Sequence, residues 1–325
     1  MPPITRREFL LTSGSCAAHL ALASAVAPPA LRALWTANMA GPVVATERFG
    51  RLERVADGIW ALISTPLTGD YTTVCNGGIV AGKTAVLAIE GFQTPKGAAW
   101  LADQARTLTG RWPTHVLLTH YHSDHANGVA GYVTGEHRPE IRATQITRDE
   151  VLTRNTPADA ARSAALNDAV MMSPTDVGEF DVGGRRIRIV PQSGHTDSDV
   201  ALELDDPNIV FCGDLFWNAM FPNYVDAMPS KLAASVRVLR SRKAHTYIPG
   251  HGAIGTPADL ARYAAMIDSV GEAATRAHAA GTSTSDAAAH YNFPAAVGDW
   301  VMFNKLFVER AFVAWYRELD GRAGR

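Results

Sequence analysis

Cysteine is scarce. Cys16, Cys75 and Cys212 are the only three in 325 residues. Cys16 falls in an N-terminal targeting segment, which leaves Cys75 and Cys212 and at most one disulfide. Both lie in apolar, strand-like runs, where a free cysteine behaves as a small core residue, so two buried thiols are expected. Charge of one sign is also lacking. The formal net charge is −2 and no strong basic run occurs, which argues against nucleic acid as the main partner. There is no internal repeat, no long low-complexity segment and no long hydrophobic run. The mildly apolar stretch that ends near Ala27 contains Gly14, Ser15 and His19 and makes a poor membrane span.

That stretch follows Thr5-Arg6-Arg7-Glu8-Phe9-Leu10-Leu11, a twin-arginine export signal. Ala23-Ser24-Ala25 and Ala25-Val26-Ala27 offer small-residue cleavage sites. Ser13-Gly14-Ser15 before Cys16 is a weak lipid-attachment box, so the expected product is cleaved near Ala25–Ala27, periplasmic and without a stable membrane anchor. Hydrophobic content of 47% and charged content of 19% fit a globular body. The expected organisation is a signal peptide over 1–27, a linker and entry segment over 28–50, a catalytic domain over 51–255 and a helical extension over 256–325.

The body is organised around Thr119-His120-Tyr121-His122-Ser123-Asp124-His125. Alternate side chains of an extended segment point the same way, so His120, His122 and Asp124 converge and His125 turns in next. Imidazoles with a carboxylate suit zinc. Three more candidate ligands sit where short strands run into glycine turns: His195 in Gly194-His195-Thr196, Asp214 after Gly213, and His251 between Gly250 and Gly252. Loops at strand ends on a rigid scaffold are where sites are built.

Hairpins are expected first, with strands at 55–63, 72–81 and 84–89. A helix over 95–108 and a strand over 115–119 follow. Residues 143–155 and 157–171 have helical character. Strands are expected at 185–191, 199–204, 208–212 and 246–248, with a helix over 229–240 between the last two. Thr256-Pro257-Ala258-Asp259 opens a long helix, with Thr256 as N-cap. Another helix starts at Ser285-Asp286, and a third covers 300–319. Two back-to-back sheets flanked by helices account for this α/β order.

These motifs, T-H-Y-H-S-D-H, G-H-T, G-D and P-G-H-G, resemble those of the metallo-β-lactamase superfamily over roughly residues 50–255. The resemblance implies an αββα sandwich, here with a C-terminal helical extension. It implies two Zn2+ per chain: one on His120, His122 and His195, one on Asp124, His125 and His251, with Asp214 bridging. A hydroxide shared by two zincs roughly 3.5–4 Å apart would attack a carbonyl, with Asp124 orienting it and passing on its proton. The implied reaction is hydrolysis of an ester, thioester or amide of a small periplasmic molecule. A β-lactamase, or a mononuclear iron oxygenase or sulfur-transfer enzyme, are the other readings. Iron redox relatives carry Glu where His122 stands, and lactonases carry Tyr where Trp217 stands. The run after Asp214 and the Gly194-His195-Thr196-Asp197-Ser198-Asp199 turn resemble periplasmic hydrolases found with sulfur oxidation and quinoprotein dehydrogenases. Residues 300–316 are rich in aromatics at helical spacing. They could cover the domain, wall the pocket or form a homodimer, and the sequence leaves that open.

Overall fold

The computed structural model describes residues 41–323. The expected signal peptide, its cleavage site and Cys16 lie outside the described residues. The chain divides into two compact units. The first runs to Met172 and takes in Val182–Gly184; the second comprises Ser173–Asp181 and the chain from Arg185 onward.

The first unit holds an eight-stranded sheet in sequential order: β1 (Val43–Glu47), β2 (Gly50–Ala56), β3 (Ile59–Ser64), β4 (Gly77–Ala81), β5 (Val86–Ile89), β6 (His115–Leu117), β7 (Glu140–Thr144) and β8 (Val170–Met172). β1 to β5 pair antiparallel and β5 to β8 parallel. Its helices are α1 (Pro95–Thr109), the single turn α2 (Ser123–Ala126), α3 (Gln145–Arg154) and α4 (Ala160–Asn167). Pro95 starts α1, and Gly110 ends it in a left-handed cap at φ 75, the Pro-in, Gly-out asymmetry of helices. α1 buries Ala98, Leu101, Ala102 and Ala105 in a core with Leu62, Ile79, Val86, Phe92, Val116 and Leu118.

The second unit holds a five-stranded sheet in the order β13-β12-β11-β10-β9, from β9 (Gly178–Asp181), β10 (Arg186–Gln192), β11 (Asp199–Leu204), β12 (Ile209–Trp217) and β13 (Thr246–His251). Only the β12–β13 pair is parallel. Its helices are α5 (Pro229–Ser241), α6 (Pro257–Ala279), α7 (Thr284–His290) and α8 (Leu306–Ala323). Thr256 and Asp259 form the capping box of α6. Among the described residues no helix is long and apolar enough to cross a membrane.

Several expectations need correction. The strand expected over 72–81 begins at Gly77. Before it, Val74 takes a left-handed φ of 67, and Thr73 and Asn76 bond Phe49 and Ser64 through their side chains. The helical reading of 143–171 hid β7 and β8 at its edges. β12 continues through Asp214 to Trp217, and β13 continues to His251, so neither residue sits in a turn beyond its strand. The β12–β13 register shifts on both sides of Gly213, which lets the strand run on while its pairing opens. Residues 300–303 are not helical: Val301 pairs with the 219–221 segment, and α8 starts only after Asn304, whose Oδ1 accepts from Leu306 N–H at 2.9 Å. Cys75 and Cys212 are free and buried, as expected.

Candidate metal centre

Each unit brings a set of candidate ligands together. In the first, β6 ends at Leu117 and the chain turns through Thr119–His125 into α2. His120 Nε2 lies 3.1 Å from His122 Nδ1. Two nitrogens held tetrahedrally at 2.0–2.1 Å from one zinc are roughly 3.3 Å apart, so this spacing fits a shared ion. Asp124 is half-buried in the first turn of α2, with its Oδ2 3.6 Å from His125 Nε2. His120 and His125 are buried.

The loop is anchored from behind. Gly91 N–H donates to His125 O at 2.6 Å, and the Cys75 thiol donates to Asp124 O at 2.9 Å. Burial pushes that thiol well above its ordinary range. Glu90 is the residue that the sequence reading missed. It follows the apolar run of β5, is buried and takes a left-handed φ of 77. Its Oε1 lies 3.0 Å from His125 Nδ1 and accepts from the Thr119 hydroxyl at 2.6 Å. With its proton committed to Glu90, the Thr119 oxygen accepts from His120 Nδ1–H at 3.1 Å. One carboxylate thus anchors the Thr119 relay to the His120 ring and stands as a charged neighbour beside His125, a placement like that of the carboxylates that back histidines in metal sites. The signal in the sequence was an acid closing a wholly apolar strand, directly before Gly91.

In the second unit, Asp214 stands between two histidines. Its Oδ2 is 3.1 Å from His195 Nε2 and its Oδ1 is 3.4 Å from His251 Nε2. All three residues are buried. The carboxylate thus offers one oxygen to each of the two imidazoles. The backbone makes room for it: a Cβ at Gly250 would overlap Asp214 Oδ1. His195 sits in a turn held by Asp199, whose carboxylate accepts from His195 N–H at 2.9 Å and from the Thr196 hydroxyl at 2.7 Å. Asp197 is exposed, so of the two acids in this turn only Asp199 shapes it. Gly194, at φ 143, packs where a Cβ would overlap the backbone of Leu232.

The donor chemistry fits a divalent ion such as zinc in both sets: imidazoles and carboxylates, buried or half-buried, at ligand-to-ligand spacings, with His120 Nδ1 held by Thr119 and His125 Nδ1 beside Glu90.

Comparison with known proteins agrees with this geometry. The family model described as Metallo-beta-lactamase superfamily matches residues 91–251. Thioesterase pkgB of Emericella nidulans is 28% identical over 187 residues, 56% of this chain and 47% of that protein. A hydroxyacylglutathione hydrolase of Rhodospirillum rubrum is 28% identical over 212 residues, 65% of this chain and 74% of that protein. The chain spans about half the length of several curated relatives it matches, such as pkgB and, at 53%, the lactamase-like protein adaB of Aspergillus niger. Among solved structures, a metallo-beta-lactamase from Pontibacter korlensis superposes with a TM-score of 0.56 at 19% identity, covering 67% of this chain and 99% of that one. The sec-alkylsulfatase Pisa1 from Pseudomonas sp. gives 0.65 at 14% identity, covering 82% and 50%. The family model matches just under half of the chain, and the solved structures share its fold: two sheets and helices in the α/β arrangement of the metallo-β-lactamases, here with further C-terminal helices.

Proposed function

We propose that this protein is a dinuclear zinc hydrolase that cleaves a carbonyl ester or thioester of a small molecule. The observation that carries the reading is the Asp214 carboxylate divided between His195 and His251. A single-ion site has no need of a carboxylate shared in this way. In this reading His120, His122 and His195 hold one ion, Asp124, His125 and His251 hold the other, and Asp214 serves both; each group has the donors a metal ion takes. When bound, the ions supply an acidified water and a Lewis acid for the carbonyl oxygen.

The chain's own residues do the rest. Thr119, anchored by Glu90, holds the His120 ring, and the Glu90 carboxylate stands beside His125 Nδ1. Asp124, on a turn tied down by Cys75 and Gly91, accepts the proton of the attacking water and returns it to the departing thiol or alcohol. General acid–base transfer of this kind contributes about 10²–10⁴-fold. Thioesters lead among the substrates because the thioesterase and hydroxyacylglutathione hydrolase relatives are hydrolases of the same superfamily. In this reading the activity is periplasmic, which the twin-arginine motif of residues 5–11 supports. Export after folding would suit a protein that takes up its metal before crossing.

The test is a substrate panel on the zinc-loaded protein: small acyl thioesters, aryl esters, lactones, a β-lactam and a phosphodiester. Thioester or ester turnover that dialysis against a chelator abolishes and zinc restores supports the reading. Turnover of only the phosphodiester, or turnover indifferent to the chelator, rejects it. Fractionation of cells with and without the twin-arginine translocase tests the location.

A further inference from the structure

The aromatics of the C-terminal region reach a metal-ligand candidate. Trp217, the last residue of β12, lies with its ring centroid 4.0 Å from that of His251 at an interplanar angle of 38°. Phe303 meets both rings edge-on, 6.1 Å from Trp217 and 6.0 Å from His251. Phe307 of α8 closes on Trp217 at 6.3 Å. All three aromatics are buried. The contact is built into the backbone as well. Val301 N–H donates to Ala219 O at 3.0 Å, and Phe221 N–H donates to Val301 O at 2.9 Å. Asn218 N–H donates to His251 O at 2.9 Å. Among the described residues the Trp217 indole N–H reaches no acceptor, so the indole acts here through its faces and edges.

We infer that Trp217 and Phe303 are positioning residues for metal binding: their rings clamp the His251 imidazole in its ligating orientation, and so make the segment 300–307 part of the metal site. The inference rests on reading His251 as a ligand. Two physical effects support it. Buried rings packed against an imidazole restrict its rotation before metal arrives, so less ordering is left to do on binding. An imidazole bound to a dication also gains positive character, and an aromatic face favours positive charge beside it. This second effect falls to Trp217, whose ring lies over the imidazole at 38°, while Phe303, packed perpendicular to it, contributes the restriction of rotation. It also answers what the aromatic-rich stretch does, which the helical spacing of its residues left open.

The experiment is a titration of the metal-free full chain with zinc against a chromophoric chelator, repeated with cobalt to read ligand-field absorption. Trp217→Leu and Phe303→Leu are expected to weaken one of the two bound ions by about 10–100-fold, the range for losing a partner that orients a ligand, and to leave the other within threefold. Trp217→Phe keeps an aromatic face and is expected to stay within threefold for both. Phe312→Leu controls for a generally loosened extension, because Phe312 packs on Tyr291 and Tyr316 instead; both ions should then bind as in the wild type. If the leucine variants bind both ions normally, or if Phe312→Leu weakens binding equally, the clamp is refuted. If the wild type itself binds fewer than two ions, the functional reading fails and the clamp with it.

Discussion

Replacing Glu90 by glutamine tests how the site is held. The carboxylate receives the Thr119 hydroxyl at 2.6 Å and the Thr119 N–H at 3.3 Å, and lies 3.0 Å from His125 Nδ1. Glutamine keeps the shape but has one acceptor oxygen. Placed toward the hydroxyl and the imidazole, that oxygen leaves the new NH2 facing the Thr119 N–H. A buried donor left without an acceptor costs about 1–3 kcal/mol, and the retained Thr119 hydroxyl bond loses its charge assistance while the imidazole loses its charged neighbour. The expected destabilisation is about 2–3 kcal/mol. At roughly 2–4 °C per kcal/mol for a domain of this size, Tm falls by about 4–12 °C. The larger effect falls on metal. His125 loses its charged neighbour at Nδ1, and His120 loses the charge behind its relay through Thr119. Outer-sphere losses of this kind cost about 10–100-fold in metal affinity. Thermal unfolding of the apo-protein gives the first quantity and zinc competition titration the second. A Glu90→Gln protein that is less stable yet binds zinc within twofold of the wild type would show that Glu90 serves the fold alone.

Other outcomes follow from the same geometry. Gly250→Ala forces a methyl against Asp214 Oδ1; it should cost about 1–3 kcal/mol of stability and lower zinc content measured by mass spectrometry, while an Ala variant with full zinc content would contradict the close approach. Asp124→Asn should lower hydrolysis by at least about 100-fold, and an unchanged rate at full metal content would remove Asp124 from proton transfer. Burial pushes the thiols of Cys75 and Cys212 upward, so the thiolate fraction of each stays negligible as pH rises through the ordinary cysteine range of about 8–9. Neither should react with a disulfide reagent up to about pH 9 until denaturant is added, and modification of either in the folded protein would count against that burial.

What the sequence showed, and what it hid, follows from the range of the interactions. Thr119–His125 is legible because its ligands lie within one turn of chain, where residue alternation alone brings them together. His195, Asp214 and His251 are legible as residues, since each has a glycine beside it. Their strand context is not, because the shifted β12–β13 register depends on a neighbour that is remote in sequence. Glu90 escaped because a lone acid after Val86–Ile89 looks like a strand end; its meaning lies in Thr119 and His125, some thirty residues on. β7 and β8 were lost to their helix-like flanks, being short parallel strands of five and three residues. Trp300–Phe303 read as helix from aromatic spacing, but the tie of Val301 to Ala219 and Phe221 outweighs that local preference. The Asn304 cap was the available stop signal.

The central claim is that seven side chains hold two metal ions. Elemental analysis of the purified protein by mass spectrometry, with protein quantified by amino-acid analysis, tests it most directly. The account predicts two zinc per chain in the wild type, about one or fewer in Asp214→Ala, and parallel loss of metal and hydrolysis on chelation. One iron per chain, or a wild type that carries no zinc after reconstitution, would contradict it.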